Sequence, residues 1–546
     1  MPVRKSTMFK IFRIFKFLNI LVAPGNHTYL ETRIRRPAMK KLKHIDPATT
    51  YIPFAIIFVL CTFFVIDPEG STSALSAVRN ILGDDFGVYY LVIGLGIFIA
   101  SLYMAFSKYG NIVLGKPGEK PQYSFFAWGS MLFTAGLAAD ILFYSFCEWI
   151  LYANEPHLGE LGSIQDWAST IPLFHWGPIV WSFYAALAAC FGFMLHVRGC
   201  HKQKYSEACR PILGAHTDGP AGKLIDILAV IALIAGCATT FSVATPLLSR
   251  AICDLIGVTD SKWLTISILL VICLVYTVSV LRGMQSVNFL ARICMYVFYA
   301  LLAYVFIFGS QARYIVETGF SALGNLVQNF VVLSTWTDAL RTSSFPQNWT
   351  IFYWAYWLVW CVASPFFMGS ISRGRTVKQV VLGAFAFGMG STFISFIILG
   401  NYALGLQMHD ILDIMGIYAA NGDLYDTIIT IIHQLPVCQI VLVLLVLSMI
   451  AFYATSFDSI TLVASAYSYK EFEEGQEASS GMKLFWAILL IMLPIALLFS
   501  ESSMNNLQTV SIIAAFPVAL VIALIIASFF KDADDYLKYP ERYLKK

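Results

Sequence analysis

Residues 349–375 read WTIFYWAYWLVWCVASPFFMGSISRGR. An apolar segment crowded with indole and phenol rings is interrupted by Ser364-Pro365 and ends in a basic turn. Tyr353, Trp357 and Trp360 recur at i, i+4 and i+7, so a helix through them carries three π faces on one side. Two readings are open for such a stripe. It can form a lipid-facing or interfacial belt, or it can hold a cation that has no N–H to donate, such as a quaternary ammonium group.

The rest of the chain supplies a membrane setting. Of 546 residues 58% are hydrophobic and 13% charged, and mean hydropathy is +0.71, far above any soluble class. Twelve apolar runs lie near 51–66, 88–106, 125–152, 171–197, 224–253, 263–280, 287–308, 349–371, 380–404, 437–468, 482–499 and 510–530. Each approaches the roughly 20 residues that cross about 30 Å of hydrocarbon. The expected fold is an all-α membrane protein with twelve transmembrane helices. A net charge of +3 does not suggest nucleic acid. The eleven cysteines follow no CxxC or framework spacing and read as small apolar packers. Cys200, His201 and Cys209 share one connection without the paired spacing of a zinc site.

Lysine and arginine fall on alternate connections. The tail before Tyr51 is dense in them; Lys108, Lys116 and Lys120 follow the second run, Arg198, Lys202, Lys204 and Arg210 the fourth, and Arg373, Arg375 and Lys378 the eighth. By the positive-inside rule both termini are expected in the cytoplasm, with the chain crossing the plasma membrane many times. Phe9 to Val22 interleaves aromatic residues with Lys10, Arg13 and Lys16, which suits either an amphipathic segment on an anionic leaflet or a disordered tail.

The resulting layout has a basic tail at 1–50, two peripheral helices at 51–108, five helices at 124–309, a surface segment at 310–348, five more helices at 349–530 and a tail at 531–546. The surface segment is amphipathic and too polar to span. In the third run, MLFTAGLAADILFYS places Gly136 and Asp140 at bilayer depth, and in the eighth Ser364-Pro365 removes a backbone donor. Interrupted helices opening two halves of a transporter point to a midplane site between inverted repeats. Kinks at Pro and Gly also occur in ordinary membrane helices.

The fourth run contains FHWGPIVWSFY, with Trp176, Trp181 and Tyr184 spaced five and three apart. Together with Trp357 and Trp360 these rings can box a trimethylammonium group, each desolvated contact contributing up to about 2 kcal/mol. Asp140 is an intramembrane carboxylate, costly without a partner. It compensates a cationic solute, caps the broken helix or is protonated. Nothing resembles paired catalytic carboxylates, a nucleophile elbow or a metal-ligand cluster, so an enzyme is not expected.

FHWGPIVW (174–181), FYWAYWLVW (352–360), ISRGRT (371–376) and FYATSFDS (452–459) together resemble the betaine, carnitine and choline transporters over nearly the whole helical region. The resemblance implies a LeuT-type fold of five plus five inverted helices after two N-terminal ones, assembled as homotrimers through the surface helix. It implies import of a quaternary ammonium compound by alternating access, coupled to Na+ or H+, with choline favoured over betaine or carnitine and no covalent cofactor. It assigns a substrate cage to Trp176, Trp181, Tyr184, Tyr356, Trp357 and Trp360. Tyr356 stands where the family more often has Trp. Leu151 stands where the family's carnitine exchanger has a cage tyrosine, which speaks against carnitine. At Asp140 choline carriers are similar in having Asp, whereas betaine carriers commonly have Gly. A fixed negative charge compensates choline and repels the acid end of a zwitterion.

The same resemblance maps a sodium site onto Phe452, Thr455 and Ser456, completed by the carbonyls of Thr134 and Leu137. Hard oxygen ligands suit Na+, although such hydroxyls also bond back to their own helix. Another sodium site would draw on Thr239, Thr240 and Ser242. In the family's sodium-independent exchanger an arginine on the seventh helix replaces the ion. Aligned on Gly283-Met284-Gln285, that position is Ala291, with Arg292 next to it and turned about 100° away; a methionine of the exchanger is Ser364 here. Gradient-independent exchange of substrate and product is therefore the alternative to symport. His175 is open between proton relay and helix packing, Asp458 is expected to brace its helix, and Arg373 and Arg375 are open between gate and topology anchor.

Overall fold

The computed structural model describes residues 45–200, 202–282, 284–471, 478–499 and 504–544. The expectations for Phe9 to Val22 and His201, and those for the side chains of Ala291, Arg292, Thr455 and Asp458, fall outside what is described. Sixteen helices matter here, in chain order: α1 Pro47–Ile66, α2 Gly87–Phe106, α3 Phe125–Ala135, α4 Ala139–Ala153, α5 Ile164–His175, α6 Pro178–His196, α7 Pro220–Ile256 and α8 Lys262–Arg282. They continue with α9 Met284–Phe308, α10 Ala312–Thr335, α11 Ile351–Trp360, α12 Ser364–Ser370, α13 Val377–Met408, α14 Cys438–Tyr467, α15 Ser480–Phe499 and α16 Met504–Lys538. Among the described residues there are no strands, only two isolated β-bridges. The protein is an all-α, multi-pass membrane protein.

Local sequence explains where these helices begin and end. Asp46 caps α1 by accepting from the Ala48 N–H, with Pro47 at the first position. Pro220 opens α7, and Gly257 closes it with a φ of +68°, a conformation glycine adopts freely. Thr376 and Gln379 form a reciprocal capping box on α13.

Each of the twelve apolar runs lies on helix. Eight helices are continuous, long and apolar enough to cross a membrane, and counting each of three bent pairs as one span raises the number to eleven. The bends are 67° between α3 and α4, 110° between α9 and α10, and 53° between α11 and α12. The 110° bend lays α10 across the axis of α9. One face of α10 packs on α5 and on the end of α13, burying Ile315, Ala322 and Leu326. Val316, Phe320, Val327 and Val331 form an exposed apolar stripe on the other.

The two broken spans pack reciprocally. α3 and α4 lie along α13, while α11 and α12 lie along α6. α13 itself contains two π turns, Ala384–Met389 and Phe396–Gly400, the sort of local widening that adjusts a helix to a bulky neighbour. That neighbour is Trp181, because a Cβ on Gly388 would lie 2.1 Å from its ring. All eleven cysteines are unpaired, and eight of them are buried, as small apolar packers should be.

Candidate functional site

The two breaks fall at residues 136–138 and 361–363. Each ends one half-helix and starts another, freeing backbone groups that a continuous helix would pair. At the first break, glycine is required by close approach: a Cβ on Gly136 would come within 2.1 Å of Trp181. Trp181 is thus clamped between Gly136 and Gly388, and its Nε1 donates to Thr392 Oγ1 at 3.2 Å.

Rings from α6 and from the connection between α5 and α6 gather around Trp357. Its ring centroid is 5.5 Å from Trp176, 5.3 Å from Trp181 and 5.2 Å from Tyr184. The tilted and edge-on arrangement is the one that aromatic quadrupoles favour. Beside this cluster lies a cavity of about 210 Å³ bordered by Trp176, Tyr184, Tyr356, Trp357, Trp360 and Asp140. It is smaller than the roughly 300–1,000 Å³ of drug-sized sites, which suits a small solute. Its remaining wall, including Ser364, Phe367, Ser456 and Ile460, follows α12 and α14 toward the end of the molecule that carries the basic turn 373–375.

Five of the six aromatic residues expected at the site border the cavity; Trp181 is the exception. The two glycines that clamp it hold it behind Trp357, as backing rather than wall. The stripe also splits. Trp357 and Trp360 face the cavity, whereas Tyr353 stacks on His175 at 4.9 Å and 17°. Trp354 fills the space left by Gly94 on α2, where a Cβ would be 2.6 Å from its ring. Leu151 is not part of the wall.

Asp140 is buried in the first turn of α4, where the helix dipole favours a carboxylate. Ala138, not Asp140, occupies the N-cap, and no side chain caps it. The Tyr356 hydroxyl donates to Asp140 Oδ2. Thr240 meets that hydroxyl in turn, and Trp360 Nε1 donates to Thr240 Oγ1 at 3.1 Å. A single row of hydrogen bonds therefore runs from Trp360 to the carboxylate. Among the described residues no side-chain donor reaches the buried Oδ1 of Asp140, and Trp357 Nε1 has no partner either.

Thr134, Leu137, Phe452 and Ser456 all border the same cavity. The Thr134 hydroxyl donates to the Ser130 and Met131 carbonyls at 3.2 and 3.1 Å, and its oxygen lone pairs stay available to accept. Of the α7 hydroxyls, Thr240 belongs to the site, Thr239 pairs with Ser511 at 2.9 Å, and Ser242 Oγ is buried without a partner among the described residues. Arg373 pairs with Glu119 at 2.7 Å. Arg375 lies 4.5 Å from the Trp128 ring and donates to the Tyr123 carbonyl, so both tie the basic turn to the segment before α3. Gly388 and Glu148, which accepts from Trp176 at 2.7 Å, were not singled out by the sequence reading, and Thr240 was read there as an ion ligand rather than as the partner of Tyr356 and Trp360.

A match to the betaine/carnitine/choline family of transporters covers residues 48–538. The chain belongs to this family. A probable glycine betaine transporter of Desulfitobacterium hafniense is 30% identical over 491 residues, 88% of this chain and 96% of the relative. The glycine betaine transporter OpuD of Bacillus subtilis is 28% identical over 514 residues, 92% and 97% of the two chains. The uncharacterized transporter YeaV of Escherichia coli is 27% identical over 455 residues, 81% and 93%. The protein is a multi-pass transporter and not an enzyme, and its family carries quaternary ammonium compounds.

Proposed function

We propose that this transporter imports a quaternary ammonium compound, choline ahead of glycine betaine or carnitine, by alternating access at the cavity between the two broken spans. The observation that carries this reading is the composition of that cavity: seven aromatic residues and one buried carboxylate around a space for a small solute. A methylated ammonium ion donates no hydrogen bond and binds ring faces instead. The unanswered Oδ1 of Asp140 then supplies the counter-charge that choline needs and that the acid end of betaine would oppose. The two transporters named for glycine betaine make this choice an experimental one.

The reciprocal packing of the broken spans favours two inverted five-helix repeats, and a cavity extending toward the basic end corresponds to a form open to the cytoplasm. We assign the coupling cation to Na+ or H+. Na+ would sit among Thr134, Leu137, Phe452, Thr455 and Ser456. The exposed stripe on α10 is assigned to contact between copies in a homotrimer. Uptake of labelled choline, glycine betaine and carnitine into proteoliposomes, with and without cation gradients, tests the function. Saturable choline uptake that accumulates under a gradient supports it. Uptake that needs internal substrate and ignores Na+ and pH means exchange instead, and no uptake of any of the three refutes the reading.

A further inference from the structure

Glu148 lies about two turns beyond Asp140 on α4 and is fully buried. Its Oε2 accepts the indole N–H of Trp176, a ring of the cavity wall, at 2.7 Å. Its Oε1 is 2.5 Å from the Tyr152 hydroxyl, which is 2.6 Å from Nδ1 of His175. His175 Nε2 is in turn 3.0 Å from Thr350 Oγ1. All of these residues are buried. An unbroken hydrogen-bonded row therefore runs from the cavity wall to Thr350, just before α11. The neighbouring Trp349 donates to the partly exposed Glu155 at 2.6 Å, so the far end of the row lies close to the surface opposite the basic connections.

Tyr152 has one hydroxyl proton and an acceptor on either side, so the row admits two proton patterns with a neutral imidazole. In the first, Glu148 is ionised: Tyr152 donates to it, His175 Nδ1–H donates to Tyr152, and Thr350 donates to Nε2. In the second, Glu148 is protonated and donates to Tyr152, Tyr152 donates to Nδ1, and Nε2–H donates to Thr350. Passing from first to second takes up one proton at Nε2, moves the Nδ1 proton to the Tyr152 oxygen and moves the Tyr152 proton to Glu148. The row gains one positive charge, and no heavy atom has to move.

Tyr144 and Cys147 of α4 and Tyr353 of α11 are the other titratable groups near Glu148, Tyr353 facing both Glu148 and Tyr152, and from α13 Trp176 meets the Phe396 ring and the Thr392 hydroxyl, which donates to its carbonyl. Among the described residues the one ion-pair partner of Glu148 is His175, at 3.8 Å. We propose that Glu148, Tyr152 and His175 form a proton-carrying site that takes up one proton from the Thr350 end and holds it on Glu148 beside the substrate cavity. This rests on the cavity being the solute path. Protonation also converts the charge-assisted bond from Trp176 into a weaker neutral one, which links proton occupancy to a ring that touches the solute.

The test uses the full-length protein in proteoliposomes, comparing labelled choline uptake under an inward proton gradient with counterflow at equal pH. Glu148→Gln keeps an acceptor for Trp176, and Tyr152→Phe cuts the row while leaving that bond intact. Wild type should accelerate under the gradient, and both variants should fall to the no-gradient rate while still showing counterflow. A wild type indifferent to the gradient, or variants that still respond to it, overturns the proposal. If wild type transports no quaternary ammonium compound, the transport reading fails, and infrared titration then decides the proton site. A protonated-carboxyl band that comes and goes with pH and is missing in Glu148→Gln sustains it; an unchanged band overturns it.

Discussion

Replacing Asp140 by asparagine separates charge from shape at the cavity wall. Asparagine has the same size and still accepts from the Tyr356 hydroxyl that now meets Oδ2, so the row through Thr240 to Trp360 is kept. What disappears is one negative charge on a wall shared with seven aromatic residues. For a cation held roughly 5 Å away at an effective dielectric of about 20, the lost attraction is about 3 kcal/mol. Solvent entering the open side lowers this, so the expected loss is about 10- to 100-fold in choline affinity. Glycine betaine brings its own carboxylate, and the same change removes attraction at one end and repulsion at the other. Its affinity should change by less than about threefold. The assay is the KM of labelled choline and labelled glycine betaine in proteoliposomes under one fixed gradient. Equal weakening of both, or of neither, would refute a charge role for Asp140.

Gly388→Ala should push Trp181 toward Trp357, because the new Cβ would lie 2.1 Å from the indole. Overpacking costs about 1–3 kcal/mol, seen as a lower Tm together with raised KM; a neutral variant would show that Trp181 is not clamped. In the loop after α10, Asp338 accepts from the N–H groups of Thr342, Ser343 and Ser344 at 3.1, 2.8 and 2.7 Å. Burial pushes its carboxyl up, but these donors outweigh it and hold the group below the ordinary carboxylate range. A depressed folded value contributes stability above the unfolded value of about 4 and loses it as pH falls. Asp338→Ala should therefore lower Tm at neutral pH, with the gap to wild type closing in acid; a gap independent of pH would contradict this. Phe320→Glu on the exposed stripe of α10 should convert a trimer to monomers in detergent, read by light scattering, and an unaltered mass would remove the stripe from assembly.

Composition and periodicity made the fold class legible, because apolar runs of span length leave a helix no other way to satisfy its backbone. Both breaks were legible too, from Gly136 and from Ser364-Pro365, since each removes support at one known position. The orientation of rings was not. Tyr353, Trp357 and Trp360 share a helical face, yet the break at 361–363 and the neighbours of α11 send Tyr353 to His175 and leave the other two on the cavity. Trp181 looked equivalent to Trp176, and only the paired approach of Gly136 and Gly388, 252 residues apart in sequence, explains why it stands behind the wall. Glu148 carried a usable signal, an acid within an apolar run. Its meaning depends on Tyr152 and His175, and the latter comes from another helix.

The central claim is that the ring cluster around Trp357 binds the methylated ammonium group. Equilibrium binding of labelled choline to the purified transporter, comparing wild type with Trp357→Leu and Trp357→Phe, tests it most directly. Loss of a desolvated cation–π contact of about 2 kcal/mol predicts at least a roughly 30-fold weaker Kd for Leu, with Phe restoring much of it. Equal affinity in wild type and Trp357→Leu would contradict the account.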